Sequence, residues 1–392
     1  MPNHDPVKSP GHGLRPLVLY PFPPELDGIS LQGLYLANGL SENGYETAQC
    51  NRKADLEKEF LYRSFRPNVA IGIGFWGDAP DIIKHPMEHG ITPVPWLNAD
   101  GWVANYHELL DSLPLVFVTS NWVKETYIRD GVRNPNILPA PIGIDTRLLK
   151  PIPKSDPRVL TMREMLGIRA DEKMILTIGG DTTSKGFQEM LRALGKIGSE
   201  FPEWKYVGKS WENREPKYHY KAERQIAREF GFTKKIKYID GPCSRETMNV
   251  LLAAADIYAA PSRIEGFGMI QVEAMAAGIP VLSVDAMGIK DTVVHNETGL
   301  LAKVGETIEL EQEWAYKDMG FGRKQIIKFD KPKTFAVRAD IDDLARHLFR
   351  LMQDDALRDK MGAKGRERAV AAFDYRKTSL DMARTIEKRL NL

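Results

Sequence analysis

Cysteine is scarce in this chain, which has only Cys50 and Cys243 among its 392 residues. The two lie far apart and lack metal-ligand spacing, so neither a disulfide framework nor a cysteine-based zinc site organises the fold. We expect two reduced thiols in a reducing compartment.

Long apolar runs are also lacking, since no stretch approaches the ~20 apolar residues that cross a bilayer. Residues 1–13 lack the apolar core of a signal peptide, so we expect a flexible N-terminal tail on a cytoplasmic protein.

An excess of either charge is absent as well. Lys and Arg together number 54, while Asp and Glu number 53. This balance gives no support for nucleic-acid binding by the molecule as a whole. Hydrophobic residues are abundant at 43% of the chain, which is ample for more than one core. The length predicts two or three domains.

Short apolar runs followed by loops and helical patterns recur along the chain, which is typical of a doubly wound α/β fold. The predicted strands of the first half are 17–20, 69–74, 92–97 and 115–120. A Pro-rich stretch at 151–157 then predicts a linker. The pattern restarts with predicted strands at 174–178, 204–209, 236–241 and 257–260. Residues 306–333 follow no sustained period and are interpreted as an inserted loop or hairpin.

The stretch 255–282 carries the strongest chemical signal. A short strand leads into a loop with Glu265 and two glycines, and a helical pattern then runs over 269–277. The glycines let backbone N–H groups approach a ligand closely, and the helix start offers unpaired donors for an anion. Glu265 and Glu273, separated by seven residues, could accept hydrogen bonds from hydroxyl groups on either side. A phosphate between two sets of hydroxyls describes a nucleotide sugar.

Residues 265–268, the spacing to Glu273 and the run 274–281 resemble the donor-site signature of the family-4 retaining glycosyltransferases of group 1. The resemblance implies a GT-B fold, in which two Rossmann-like doubly wound domains face a cleft and the C-terminal helix crosses back to the first domain. It also implies transfer of a hexose from a UDP- or GDP-linked sugar to a hydroxyl acceptor, with retention of configuration. The implied acceptor-side domain is 14–150 with the crossover helix 374–392, the linker is 151–170, and the donor domain is 171–373 with an insertion at about 306–333.

The resemblance assigns roles residue by residue. Lys185 matches the phosphate-binding lysine, Glu265 a contact to the transferred sugar, and Glu273 a contact to the ribose. Gly28 matches a glycine of the loop near the donor phosphate, and the nucleobase is expected beside Cys243. Backbone contacts to the sugar and phosphate are expected from Gly180, Gly266, Phe267, Gly268 and Met269.

Two positions depart from the family pattern. Gly180 stands where an arginine usually follows a glycine, so Lys209, Arg263, an insertion residue or backbone N–H groups must hold the phosphate with Lys185. The usual active-site histidine is replaced by Asn98, with Asp100 two residues later. Asp100 can act as a base or stabilise positive charge, whereas Asn98 can only position a hydroxyl. The alternative for Asp100 is a helix cap.

No cofactor and no metal are expected, because the phosphate site relies on Lys185 and a helix N-terminus. The expected partners are a nucleotide-sugar donor and a sugar, glycan, lipid or small-molecule acceptor, with no nucleic acid. A peripheral membrane contact and the oligomeric state stay open. So do three other functions: a disaccharide phosphorylase or a sugar-nucleotide epimerase on the same fold, and a non-catalytic sugar-nucleotide-binding protein. Trp76, Trp96 and Trp102 are expected in the core, with a sugar-stacking platform as the alternative.

Overall fold

The computed structural model describes residues 13–25, 27–99, 101–180, 182–201, 203–210 and 217–392. Most of the predicted N-terminal tail and Asp100 therefore lie outside the described residues. The first half forms a parallel sheet with the order β2-β1-β3-β5-β6-β7, and β4 pairs with β3. Its strands are β1 (Pro16–Tyr20), β2 (Ala48–Asn51), β3 (Val69–Gly74), β4 (Thr92–Pro93), β5 (Trp96–Leu97), β6 (Val116–Val118) and β7 (Ile137–Pro139).

The second half repeats this arrangement with a parallel sheet in the order β10-β9-β8-β11-β12-β13. Its strands are β8 (Lys173–Ile178), β9 (Trp204–Lys209), β10 (Ile236–Ile239), β11 (Ile257–Ala259), β12 (Val281–Val284) and β13 (Gly299–Ala302). Several central strands are buried along their whole length, as expected when helices cover both faces of a parallel sheet. The two sheets confirm the predicted pair of Rossmann-like units.

Helices connect the strands and cover the sheets. In the first half they are α1 (Gly28–Glu42), α2 (Asp55–Ser64), α3 (His85–Glu88), α4 (His107–Ser112) and α5 (Asn121–Arg129), with a π-helical turn at Pro80–Lys84 before α3. In the rest of the chain they are α6 (Pro157–Met165), α7 (Phe187–Ile197), α8 (Lys217–Glu229), α9 (Arg245–Ala254), α10 (Met269–Ala276), α11 (Ile289–Thr292), α12 (Ile341–Gln353), α13 (Asp355–Phe373) and α14 (Tyr375–Leu390). Within the described residues, none of these helices combines the length and apolar character that crossing a bilayer requires.

The last helix returns to the first half, as the resemblance implies. The rings of Tyr375 on α14 and Tyr35 on α1 stack with centroids 5.4 Å apart. Arg376 pairs with Glu42 at 2.7 Å, so a salt bridge lies beside the stacked rings. These contacts place α14 on α1, a packing that closes the chain back onto its first unit.

The segment predicted as a linker contains a helix. Residues 151–156 have no regular secondary structure, but the side chain of Asp156 then accepts a hydrogen bond from Arg158 N and caps the start of α6. Arg163 on α6 pairs with Asp256 at 3.1 Å, so α6 is attached to the second unit. Only the first part of 151–170 therefore has the irregular backbone of a linker.

The insertion forms an antiparallel hairpin of β14 (Val304–Ala315) and β15 (Gln325–Ala339). It leaves the second unit but rests on the first, where Phe329 packs against Trp102 with ring centroids 5.6 Å apart. Lys333 Nζ lies 2.6 Å from Asp130 Oδ1 in the same region. Burial raises the pKa of Asp130, but hydrogen bonds from Arg129 and Lys333 outweigh it and hold that pKa below its usual value. The hairpin thus bridges the two halves.

Candidate active site

A cleft of about 570 Å³ lies between the two halves. Each sheet reverses its strand order at one point, between β1 and β3 and between β8 and β11, and open α/β sheets bind ligands outside the carboxyl ends of the strands at such points. The loop after β1 supplies one wall, and the segments after β8, β9 and β10 supply much of the other. The lining residues are Glu25, Asp27, Gly28, Leu31, Gly179, Gly180, Lys185, Lys209, Pro242, Cys243, Arg245, Met248, Tyr258, Glu265, Met269, Ile270, Gln271 and Glu273.

Lys185 and Glu265 form an ion pair in this cleft. Lys185 Nζ donates to Glu265 Oε2 at 2.6 Å, and the backbone N–H of Gly268 donates to Glu265 Oε1 at 3.1 Å. An ammonium group has three donors, so the pair leaves hydrogen-bonding capacity on Lys185 for a second anion. The aliphatic part of Lys185 lies against Gly179, where a Cβ would come within 2.4 Å of Lys185 Cγ. Glycine at 179 is therefore what lets the lysine reach the cleft.

Glu273 is 2% exposed and is held by a cation that sequence analysis did not assign. Arg245, the first residue of α9, forms a salt bridge with Glu273 Oε1. Burial alone would lower the pKa of Arg245. The charge of Glu273 and the hydrogen bonds to Glu273 and Tyr35 outweigh burial and raise this pKa above its usual value, so the guanidinium stays charged. For the Tyr35 hydroxyl, burial has the opposite effect and raises the pKa to about 12. A carboxylate has about four acceptor positions, so Glu273 retains capacity for ligand hydroxyls.

The N-terminus of α10 opens onto the cleft. Gly268 precedes the helix in the left-handed region at φ 91°, and no side chain of the described residues caps the helix start. The first N–H groups of a helix have no intrahelical acceptor and carry a partial positive charge. Met269 and Ile270 line the cleft here, so the start of α10 lies where the sequence predicts an anion to bind.

Lys209 and Cys243 also line the cleft. Lys209 Nζ donates to the carbonyl oxygens of Ser210, at 3.0 Å, and of Gly241. Burial lowers the pKa of Lys209. The side chain therefore holds the loop after β10 in place, beside the predicted base position at Cys243. Both cysteines are free thiols, as predicted.

Arg263 is placed differently from its predicted role. Its guanidinium donates to Glu189 from Nη2 at 2.8 Å and from Nε at 3.1 Å. It is absent from the described lining of the cleft, and so is every described residue of the hairpin. Besides Lys185 and Lys209, the described lining of the cleft contains Arg245.

Three predicted contacts sit beside the cleft lining rather than in it. Phe267 is 3% exposed and packs against Phe373 with ring centroids 5.8 Å apart. A Cβ on Gly266 would lie 3.7 Å from Ala99 O, so this glycine faces the first half. Gly268 contributes its positive φ and its bond to Glu265, as described above. Their predicted roles are thus restricted to backbone groups.

The first half places Gly28 and Asp27 at the cleft. Gly28 begins α1, and a Cβ built on it meets nothing within 4 Å. Asp27 caps α1 by accepting from Ile29 N at 2.9 Å and Ser30 N at 3.0 Å. This cap fixes the start of α1 at the wall of the cleft.

Asn98 follows β5 and is held by α1. Its Nδ2 donates to Gln32 Oε1 at 3.0 Å, and its carbonyl accepts from Tyr127 at 2.9 Å. Gln32 Nε2 and Thr119 Oγ1 are buried and have no hydrogen-bond partner among the described residues. Such atoms mark a polar environment beside Asn98, although Asn98 itself is outside the described lining of the cleft.

The tryptophan alternative is resolved by burial. Trp76 and Trp96 are each 2% exposed and Trp102 is 7% exposed. The indole N–H of Trp76 donates to Trp102 O at 2.8 Å, and that of Trp96 donates to Ala140 O at 3.1 Å. All three therefore belong to the core, and the sugar-stacking alternative is not supported. His107 begins α4, and its Nε2 lies 2.9 Å from Asp130 O.

The decisive comparison concerns the region that carries this cleft. Residues 160–318 match the family model described as glycosyl transferases group 1. The match confirms the resemblance to the group 1 glycosyltransferases, and the matched range contains Lys185, Glu265 and Glu273. It does not separate family 4 from the rest of group 1.

Curated relatives match the chain over part of its length. A D-inositol 3-phosphate glycosyltransferase of Corynebacterium glutamicum is 31% identical over 164 residues, which are 41% of this chain and 38% of the relative. An uncharacterized glycosyltransferase of Methanocaldococcus jannaschii is 28% identical over 178 residues, which are 45% of this chain and 44% of the relative. The chain thus spans less than half the length of these curated relatives.

Solved structures match nearly the whole chain. Sucrose-phosphate synthase from Thermosynechococcus elongatus superposes with a TM-score of 0.70 at 18% identity, over 96% of this chain and 99% of that one. Anabaena Alr3699/HepE, solved in complex with UDP and glucose, gives 0.72 at 15% identity, over 96% and 100%. These likenesses confirm the GT-B fold.

Proposed function

We propose that this chain transfers a hexose from a UDP- or GDP-linked sugar to a hydroxyl acceptor, with retention of configuration and without a metal ion. The observation that carries the proposal is the convergence, in one cleft, of Lys185, the start of α10 and two oriented glutamates. These groups match the three parts of a nucleotide sugar, namely a diphosphate, a ribose and a hexose. The family match over the same residues supports the proposal.

Positive charge in the cleft is proposed to bind the diphosphate. As the glycosidic bond breaks, negative charge grows on the leaving nucleoside diphosphate, and fixed donors aimed at that charge lower the barrier. Lys185 Nζ lies 2.6 Å from Glu265 and uses one of its three N–H donors there, so the other two can donate to the phosphate while the pair stays in place. The N–H groups at the start of α10 add a second source of partial positive charge.

The two glutamates are proposed to accept hydrogen bonds from the hydroxyl groups of the hexose and the ribose. Glu265 is fixed by Lys185 and by the N–H of Gly268, so its remaining acceptor positions can orient a hydroxyl of the transferred sugar. Glu273 is fixed by Arg245 and can accept from the ribose. Fixed acceptors lose little conformational entropy on binding, so they favour one orientation of the donor.

The acceptor is proposed to approach from the first half, past Asn98. Asn98 is oriented by Gln32, whose own Nε2 lacks a partner among the described residues and can donate to a ligand hydroxyl. Asp100 remains the proposed base or charge-stabilising group. Retention fits a front-face mechanism in which the departing phosphate helps to deprotonate the acceptor.

We also propose a reducing, cytoplasmic location, on the ground that both cysteines are free.

The donor test begins with UDP-glucose, since a structural neighbour was solved with UDP and glucose, and extends to UDP-N-acetylglucosamine, UDP-galactose and GDP-mannose. Binding is measured by calorimetry and release of the diphosphate is followed separately, with and without a panel of sugar and polyol acceptors. We expect one donor to bind and to be consumed faster with an acceptor, and proton NMR of the product to show the anomeric configuration of the donor.

The same assay distinguishes the other functions. Binding without turnover would identify a non-catalytic sugar-nucleotide-binding protein. An isomerised sugar nucleotide would identify an epimerase, and a strict need for inorganic phosphate would identify a phosphorylase. An inverted product would overturn the retaining mechanism while leaving the transferase assignment intact.

A further inference from the structure

We propose that Glu59, His85 and His89 form a binding site for Zn²⁺ or a similar first-row divalent ion, remote from the transfer cleft. One potential ligand atom from each residue lies within 4.8 Å of the others. Glu59 is on α2, whereas His85 begins α3 and His89 follows its end. An ion here would therefore join two neighbouring helical segments of the first half. The proposed function neither assigns this cluster nor depends on it.

The tautomers of the two histidines suit metal binding. His89 Nδ1 lies 2.9 Å from the His85 carbonyl oxygen, which can only accept, so Nδ1 carries the proton. His85 Nδ1 lies 3.3 Å from the Tyr62 hydroxyl. When His85 Nδ1 donates to that hydroxyl, both rings present their Nε2 lone pairs to a ligand. Metal-bound histidines usually donate their other ring N–H to an oxygen in this way.

The two Nε2 atoms face carboxylates. His89 Nε2 lies 4.0 Å from Glu59 Oε1, and His85 Nε2 lies 3.6 Å from Asp55 Oδ1. A tetrahedral Zn²⁺ with bonds of about 2.0–2.1 Å holds its ligand atoms about 3.4 Å apart. Within the proposed ligand set, the separation between His89 and Glu59 is larger than this, and the three ligand atoms lie within 4.8 Å of one another. Rotation of the partly exposed Glu59 side chain can bring its carboxylate closer to the two rings. Two imidazoles and one carboxylate, with a fourth position for water, make a donor set that suits zinc.

Neighbouring cations restrict the site. Lys58 Nζ lies 2.8 Å from Asp55 Oδ1, so Asp55 is already paired and is not counted as a ligand. Arg63 lies 3.9 Å from Glu59, but its side chain is 83% exposed and can move away.

The backbone and the neighbouring ring of Tyr62 hold the two histidines in a preformed arrangement. The π-helical turn Pro80–Lys84 widens the helix immediately before His85, and π-turns within helices are often found at functional sites. Because His85 and His89 are four residues apart, their rings lie on one face, stacked with centroids 4.7 Å apart. Tyr62 packs against both rings and limits their rotation.

The test uses the full chain, freed of metal with a chelator and titrated with ZnCl₂ by calorimetry. We expect one tight ion per chain, a rise in the thermal unfolding midpoint, and d–d absorption typical of tetrahedral coordination when Co²⁺ replaces zinc. His89→Ala removes a ligand and Glu59→Gln removes the charge with little change in shape. Each should weaken Zn²⁺ binding by at least ~10-fold and abolish the thermal shift.

The matched control is the double variant His4→Ala, His12→Ala, which removes the histidines of the N-terminal tail. We expect it to bind like the unmodified chain. Loss of binding in this control, unchanged affinity in both site variants, or a dissociation constant of the unmodified chain weaker than about 1 mM would each overturn the site.

Discussion

Gly179→Ala should lower kcat about 100-fold without changing any charge. The new Cβ would lie 2.4 Å from Lys185 Cγ and 3.1 Å from Lys185 Cε, whereas ordinary carbon contacts begin near 3.4 Å. The aliphatic part of the lysine must therefore retreat by about 1 Å, and the ammonium group moves with it. A displacement of this size in a positioned group costs on the order of 10²-fold in rate, or about 2.7 kcal/mol in the barrier.

The assay is steady-state kinetics with the donor identified by the nucleotide-sugar panel. The matched control is Gly322→Ala, because a Cβ at that position meets nothing within 4 Å and its φ lies outside the left-handed region. A double-mutant cycle makes the test sharper. If Gly179 acts only through Lys185, adding Gly179→Ala to Lys185→Ala should cause little further loss. Unaltered turnover in Gly179→Ala, or fully additive losses, would refute the reasoning.

Three further predictions follow from the same cleft. Lys185→Ala should lower kcat by ~10²-fold or more, since it removes a charge that stabilises the leaving diphosphate; normal turnover would place the phosphate elsewhere. Glu273→Ala should raise KM more than it lowers kcat, and unchanged donor affinity in calorimetry would remove Glu273 from the site. Arg245→Met should leave the buried Glu273 unpaired, at a cost near the low end of ~3–5 kcal/mol because Arg245 is partly exposed, measured by urea denaturation. For the acceptor side, Asp100→Asn should lower kcat by ~10²–10⁴-fold while Asn98→Ala has a milder effect, and a fully active but less stable Asp100→Asn protein would favour the helix-cap alternative.

Local sequence signals predicted most of the fold. Residues 69–74 and 204–209 became strands with the predicted bounds, because unbroken apolar runs between turn residues have few other uses in an α/β protein. The predicted strand 92–97 is instead divided into β4 and β5. Pro93 and Pro95 lack N–H groups for the ladder, which accounts for the interruption.

The pairing of charged side chains was much less predictable. Arg245 and Glu273 are 28 residues apart on different helices, and Arg263 is 74 residues from its partner Glu189. Which cation meets which carboxylate depends on how the helices pack, and no local pattern encodes that. A lysine after a strand and a glycine turn, by contrast, is positioned by local backbone geometry, which is why Lys185 could be placed from the sequence.

The hairpin of β14 and β15 bears on how ligands are exchanged. The chain joins the two halves at 151–156 and at the junction of α13 and α14, and the hairpin adds a connection that is not covalent. Separation of the halves at this point must break the pair between Lys333 and Asp130 and expose the ring of Phe329. In the proposed transfer reaction, we therefore expect the rate of product release to depend on contacts outside the cleft, so substitutions of Lys333 or Phe329 can change turnover without touching the residues that bind the donor.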